Sequence, residues 1–201
     1  MTSTRSASDV IRAAEERLQT ARFGVEDMAR PKRMQSGLYN AVVFGRMVTF
    51  ALQNLRSVAP EFDQWYAPKQ EDMRSDPLMK YFNDLRSNIE KKVDRHTASQ
   101  LKMRSFSTAD IQRFQPAPPG ANSFFIGDSN GGSGWCIERP DGTVEKYYVD
   151  LPPDIGEVSV HLPNAPAKYR HLPAAQLVDQ YLDRLEQLVA EAKQRFVAPT
   201  T

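Results

Sequence analysis

The sequence predicts an α+β fold: a four-helix bundle with a small antiparallel β-meander inserted before the last helix. Three observations predict it. Apolar residues recur at helical spacing in four segments, near residues 9–29, 37–59, 76–99 and from 173 onward. Between the third and fourth, Gln115-Pro-Ala-Pro-Pro-Gly120 breaks the pattern, and runs rich in β-branched and aromatic residues follow. A chain of 201 residues can also bury about 70 % of its unfolded-state surface, so it needs neither disulfides nor metal to fold.

In the first helix Val10, Ala14, Leu18, Ala21, Val25 and Met28 fall on one stripe. Ser8 is the expected N-cap and Pro31 the stop. Gly24 is expected to weaken the last turns. The second helix carries Ala41, Phe44, Val48, Ala51, Leu55 and Val58, with Val43, Met47 and Phe50 as a second apolar flank. It should be the most buried helix, closed by Pro60. Residues 61–72 read as an acidic and aromatic connection. Asp76-Pro77 is a strong start signal, an Asp N-cap with Pro at the first helical position. Leu78, Phe82, Leu85, Ile89 and Val93 form the third stripe, with an end expected near His96 to Ser99. Ser107 or Thr108 should cap a short turn through Phe114.

Four strands are expected at 122–126, 134–138, 143–149 and 157–162, as a three- or four-stranded antiparallel meander. Pro140-Asp141-Gly142 supplies a turn, because Pro presets φ and Gly accepts positive φ. Pro173 opens the last helix, with Val178, Tyr181, Leu185, Leu188 and Ala192 on its stripe. The bundle is therefore assigned to 1–114 and 173–201, and the β insertion to 115–172.

Composition excludes several function classes. With 26 Lys+Arg against 25 Asp+Glu, the chain is neither histone-like nor acidic-tailed. One cysteine, Cys136, excludes a disulfide framework and a Cys-rich zinc site. His96, His161 and His171 lack the spacing that converges two ligands on a metal, so neither metal nor cofactor is expected. The stretch Gly127-Asp-Ser-Asn-Gly-Gly-Ser-Gly134 lacks the Lys and Ser/Thr of a phosphate loop and precedes a strand, so it reads as a flexible β-loop. The N-terminal residues are polar, unlike a secretory signal, and no run reaches the ~20 apolar residues of a membrane span. A cytoplasmic location without membrane partners is the expectation.

Charge is unevenly placed. Arg30, Lys32 and Arg33 cluster in the first interhelical connection, and Arg86, Lys91, Lys92, Arg95, Lys102 and Arg104 outnumber the acids between them. Of these, Arg30, Lys32, Arg33, Arg95, Lys102 and Arg104 are candidate phosphate contacts, with solvated helix ends as the plain alternative. Phe62, Trp65 and Tyr66, beside an acidic stretch, are the candidate protein-contact surface; the alternative is that they cover a core edge.

The aromatic-rich segment from Asp76 to Lys92, running into Leu85-Arg86, resembles HEPN domains. That resemblance implies a bundle of four or five helices that often dimerises, frequently as a metal-independent RNase of toxin–antitoxin and antiviral systems. It implies Arg86 as the cation, with Lys91, Lys92 or His96 as partners. The chain departs from the pattern: Ser87 follows the arginine, and no histidine stands four to six residues on. His96 comes ten residues later, about 15 Å along a helix. Metal-free cleavage needs a base active near neutrality and a cation for the phosphorane. A lysine starts near about 10.4, so His96 of a second subunit is the other route. The plain alternative is an i, i+4 ion pair between Arg86 and Glu90.

The leading expectation is a non-catalytic HEPN-like protein acting by association, as a homodimer or with a protein partner, in bacterial stress or phage defence. A metal-independent endoribonuclease with RNA as partner is the first alternative. The second is a small-ligand binder with its cavity near Trp135, Tyr147 and Tyr148.

Overall fold

The first helix starts where two side chains can satisfy its end. In α1 (Ala7–Met28) the Ser6 hydroxyl accepts the Asp9 N–H at 3.1 Å, and the Asp9 carboxylate accepts the Ser6 N–H at 3.1 Å. Ser8 has Ile11 three residues on and cannot form this reciprocal pair, so the cap is Ser6. The computed structural model describes residues 6–91 and 96–197.

Helix α2 spans Met34–Gln53 and passes into a 3-10 turn at Asn54–Ser57. It crosses α1 through glycine. A Cβ on Gly24 would lie 2.6 Å from both the Ala41 nitrogen and the Gly37 oxygen, and one on Gly37 would lie 2.5 Å from the Gly24 oxygen. Gly24, expected to weaken α1, is thus where the two helices touch.

The bundle has five α-helices among the described residues, not four. The segment read as a connection folds as α3 (Phe62–Ser75), with Phe62 and Tyr66 one turn apart and buried. Only these two of its residues are buried, and Pro68 lies inside it, which is why no stripe announced it. Helix α4 (Pro77–Lys91) starts as the sequence indicates: one Asp76 oxygen accepts the Leu78 N–H at 2.7 Å. The other takes Arg184 of α5 (Ala174–Phe196) at 2.7 Å. Arg22 of α1 pins the same helix through Asp179, Asp183 and Glu186 at 2.9, 2.5 and 2.9 Å. Leu38, Leu52, Phe82, Leu177 and Leu182, all fully buried, lie at the centre of this helical core.

The third stripe does not run to residue 99. Strand β1 (Ala98–Met103) occupies that place and pairs antiparallel with β5 (Gly156–His161), from Ala98 opposite His161 to Met103 opposite Gly156. Every residue of β1 is exposed, so the pairing with β5 rather than apolar alternation makes it a strand. The meander is three-stranded, β2 (Ala121–Phe125), β3 (Ser133–Glu138) and β4 (Val144–Val149), in the order β2-β3-β4. The excursion between α4 and α5 therefore begins with β1, earlier than residue 115. The Ser107 cap and its short 3-10 helix, Thr108–Phe114, form as expected. Phe114, Trp135 and Ile155 make a second, smaller core. No described helix is long and apolar enough to cross a membrane.

Candidate nucleic-acid interface

The glycine-rich loop between β2 and β3 joins the parts of the molecule. Gly127 and Gly131 have φ of +72° and +82°, and Cβ atoms there would meet Leu101 and Val158, or Val160 at 2.6 Å. The loop thus lies across the β1–β5 ribbon. A Cβ on Gly132 would run into Tyr148 and come 2.7 Å from Pro31, so the α1–α2 turn packs on the same loop. Only glycine fits this three-way approach.

Asp128 holds the loop from within. One of its oxygens accepts the Asn130 and Gly132 N–H groups, both at 3.0 Å; the other accepts Lys146 at 2.8 Å and the Tyr148 hydroxyl at 2.7 Å. The Gly127 N–H goes to the Ser133 hydroxyl at 3.1 Å. These amides are committed to the protein's own side chains, so the loop is not a phosphate cradle. Burial alone would raise the Asp128 pKa, but the bonds from Lys146, Tyr148 and the two amides outweigh it and hold the carboxyl below its ordinary value.

A carboxylate with a lowered folded-state pKa stabilises above its unfolded value near 3.8 and loses that contribution as pH falls through the folded value. Asp128→Asn is expected to cost about 2 kcal/mol at neutral pH. The difference from the parent should shrink in acid, as followed by urea unfolding at several pH values. A pH-independent difference would remove the charge from this account.

The joint brings a basic cluster to an exposed strand edge. Arg30, Pro31, Lys32 and Arg33 line a groove of about 480 Å³ with Tyr147 and Tyr148 of β4. β4 is the outer strand of the meander, so a groove along its edge is bordered by neighbouring residues of opposite facing. Tyr147 is 49 % exposed. Tyr148 is half-buried, fixed by Asp128 and edge-on to Phe125 at 5.8 Å. Arg33 pairs with Asp27 at 2.6 Å, whereas Arg30 and Lys32 have no carboxylate partner among the described residues. Among the described residues no acid lines the groove. A neighbouring cleft of about 440 Å³ shares Pro31 and adds Arg104, together with Asp150 and Glu157. Lys102 stands on β1 opposite Glu157 and is exposed.

The family model of bacteriophage lambda protein ea47 matches residues 17–119, more than half of the 201-residue chain. The chain belongs to that family. In this ea47-family chain the matched stretch holds most of α1, all of α2 to α4, β1 and the 3-10 helix, and ends just before β2. No curated protein matches the chain, and no solved structure does.

The other residues singled out in the sequence lie elsewhere in the ea47-family fold. Phe62 and Tyr66 are buried and Trp65 half-buried; they are core, not a free contact surface. Phe62 stacks on Tyr66 at 4.9 Å, and Trp65 meets Phe196 of α5 edge-on at 5.3 Å. The acids around them hid this in the sequence, since Asp63 projects outward to Arg56 at 2.6 Å.

Arg86 makes its i, i+4 ion pair with Glu90 at 3.2 Å. His96 lines a small cleft of about 210 Å³ with Tyr81, Asp84, Leu85, Asn88 and Asn164, and its Nε2 is buried without a partner. Arg86 does not line that cleft. Residues 86 and 88 stand about 200° apart around a helix, so the face carrying Asn88 toward His96 turns Arg86 away. Burial pushes the Tyr81 phenol up to about 12, leaving it protonated at neutral pH. Lys91 is exposed at the end of α4, and Lys92 and Arg95 lie outside the described residues.

The aromatics assigned to a ligand cavity part company. Trp135 is buried and donates to the Phe114 carbonyl at 3.3 Å, inside the smaller core, whereas Tyr147 and Tyr148 border the basic groove. Their joining with Arg30 and Lys32, more than a hundred residues away in sequence, had no local signal. Among the described residues no three His, Cys, Asp or Glu side chains could together hold a metal ion.

Proposed function

We propose that this protein binds single-stranded nucleic acid, RNA in the first place, along the groove between the α1–α2 turn and the edge of β4. The observation that carries this reading is the meeting of Arg30 and Lys32 with the exposed Tyr147 in one groove that holds no acid and gives neither cation a carboxylate partner among the described residues. Cations that follow a phosphate backbone, beside an aromatic face on which a base can stack, are the combination single strands require. The groups are held ready by packing: Pro31 and Tyr148 both close on Gly132, and Asp128 fixes Tyr148. The protein acts here by binding. Arg86, paired to Glu90, does not share a cleft with His96 among the described residues, so these two do not meet on one phosphate within a chain.

Fluorescence anisotropy with a labelled oligouridine, at several salt concentrations, tests the reading. The parent should bind with strong salt dependence, and the oligonucleotide should remain intact in EDTA. Tyr147→Ala should weaken binding about fivefold or more, the loss of one stacked base. Arg30→Ala with Lys32→Ala should reduce the slope of log K against log salt by about 1.4. An affinity unchanged in all three substitutions, or no binding at low salt, rejects the groove.

A further inference from the structure

Helices α2 to α5 enclose a second site, on another part of the molecule from the groove. It is a cleft of about 340 Å³, within the size range of small-molecule sites. Arg46 of α2 lines it. Its guanidinium donates to the Thr49 hydroxyl at 2.8 Å and stacks on the Phe50 ring at 4.4 Å, while its Nε is buried with no partner. Among the described residues no carboxylate pairs with it. A half-buried arginine with no paired carboxylate is uncommon, because burial removes water without supplying a direct counter-charge.

The surroundings hold that charge in place. Thr49, only 2 % exposed, donates its proton to the Arg46 main-chain carbonyl at 2.9 Å, which leaves its oxygen to accept from the Arg46 guanidinium and orient that side chain. Gly45 leaves room for Tyr181, whose ring would stand 2.6 Å from a Cβ there. Arg74 and Lys80 add two cations to the lining, against Asp84 as its one acid among the described residues. Arg74 has only a loose pairing, 3.8 Å, with Glu71. Met73, Met79 and Leu185 supply apolar wall.

We propose that this cleft binds a small phosphomonoester with an apolar body, of the size class of a nucleoside monophosphate, its phosphate against Arg46. Three cations to one acid suit a dianion better than a single carboxylate, and a guanidinium matches phosphate oxygens in geometry. The thioethers and Leu185 take the remainder of the ligand. Arg46 and Thr49 both lie in the stretch that matches the ea47 family.

Thermal-shift and calorimetric titrations with AMP, UMP, adenosine and inorganic phosphate, each at millimolar concentration, test the site. AMP or UMP should raise the melting temperature more than adenosine or phosphate does. Arg46→Gln should weaken nucleotide binding at least tenfold, and Thr49→Val severalfold, with both variants retaining the parent's circular dichroism. If Arg46→Gln fails to fold, Lys80→Ala provides the loss of charge at the rim and should weaken binding severalfold. The double substitution Arg30→Ala with Lys32→Ala, in the groove, should leave AMP binding unchanged, so failure of either site is seen separately. No stabilisation by either nucleotide overturns the proposal. So does phosphate acting as strongly as AMP, or binding that survives in Arg46→Gln.

Discussion

Gly37→Leu is expected to lower the unfolding free energy by about 3 kcal/mol, the upper part of the range for overpacking a tight contact. The new side chain would start 2.5 Å from the Gly24 carbonyl oxygen and 2.9 Å from the Met28 nitrogen. Both are main-chain atoms and cannot swing aside as a side chain could, so α1 and α2 must separate. That loosens the part of the core that holds Ala21, Leu38 and Ala41, all completely buried. Against a typical domain stability of about 5–15 kcal/mol the loss is large, and urea unfolding measures it directly. Gly142→Ala is the comparison: nothing lies within 4 Å of that position, and only its φ of +80° opposes a side chain. It should cost about 1 kcal/mol. Equal losses at the two positions would mean that the helices do not cross on glycine.

Phe62→Ala should be as damaging or more so, by about 3–5 kcal/mol, because it empties a fully buried ring site. Phe62 touches Tyr66, Trp65 and Phe196 within ring-centroid distances of 4.9 to 6.0 Å, so the cavity would loosen α3 against the end of α5. Trp65→Ala removes a half-buried ring and should cost less. Sedimentation velocity on the folded fraction separates core from contact surface. A core role predicts lower stability with the parent's sedimentation coefficient. A variant as stable as the parent that has lost self-association would return these rings to the surface.

The helical half was legible to the extent that its helices bury a whole stripe. Asp76-Pro77 and the stripe from Leu78 to Leu85 placed α4, and Pro173 placed α5, because capping chemistry and 3.6-residue spacing are local. Helix α3 escaped because two buried rings cannot make a periodic pattern, and its acids suggested a connection. Strand β1 escaped for a different reason. It has no buried face of its own, and only its register with β5, more than fifty residues on, defines it. Gly24 shows the same limit: glycine inside a helix reads as a weakness until the facing backbone is known.

The candidate groove was half visible. Arg30, Lys32 and Arg33 were recognisable as a basic cluster, and Tyr147 and Tyr148 as aromatic strand residues. What put them together was the Gly127–Gly134 loop, whose sequence suggested flexibility and whose geometry is that of a packed joint. Arg46, by contrast, had no sequence signal, since an arginine on an amphipathic helix is ordinary until it proves to have no paired carboxylate among the described residues.

The ribbon of β1 and β5 has a consequence for how the chain tolerates change. Ala98 and His161 are cross-strand partners, so their Cα atoms lie within about 5.5 Å of each other. The polypeptide leaves the helices and rejoins them at one doorway. A piece hinged in this way can lengthen, shorten or be exchanged while α4 and α5 keep their route, because the splice points are already neighbours and closing a gap between them needs only a short link.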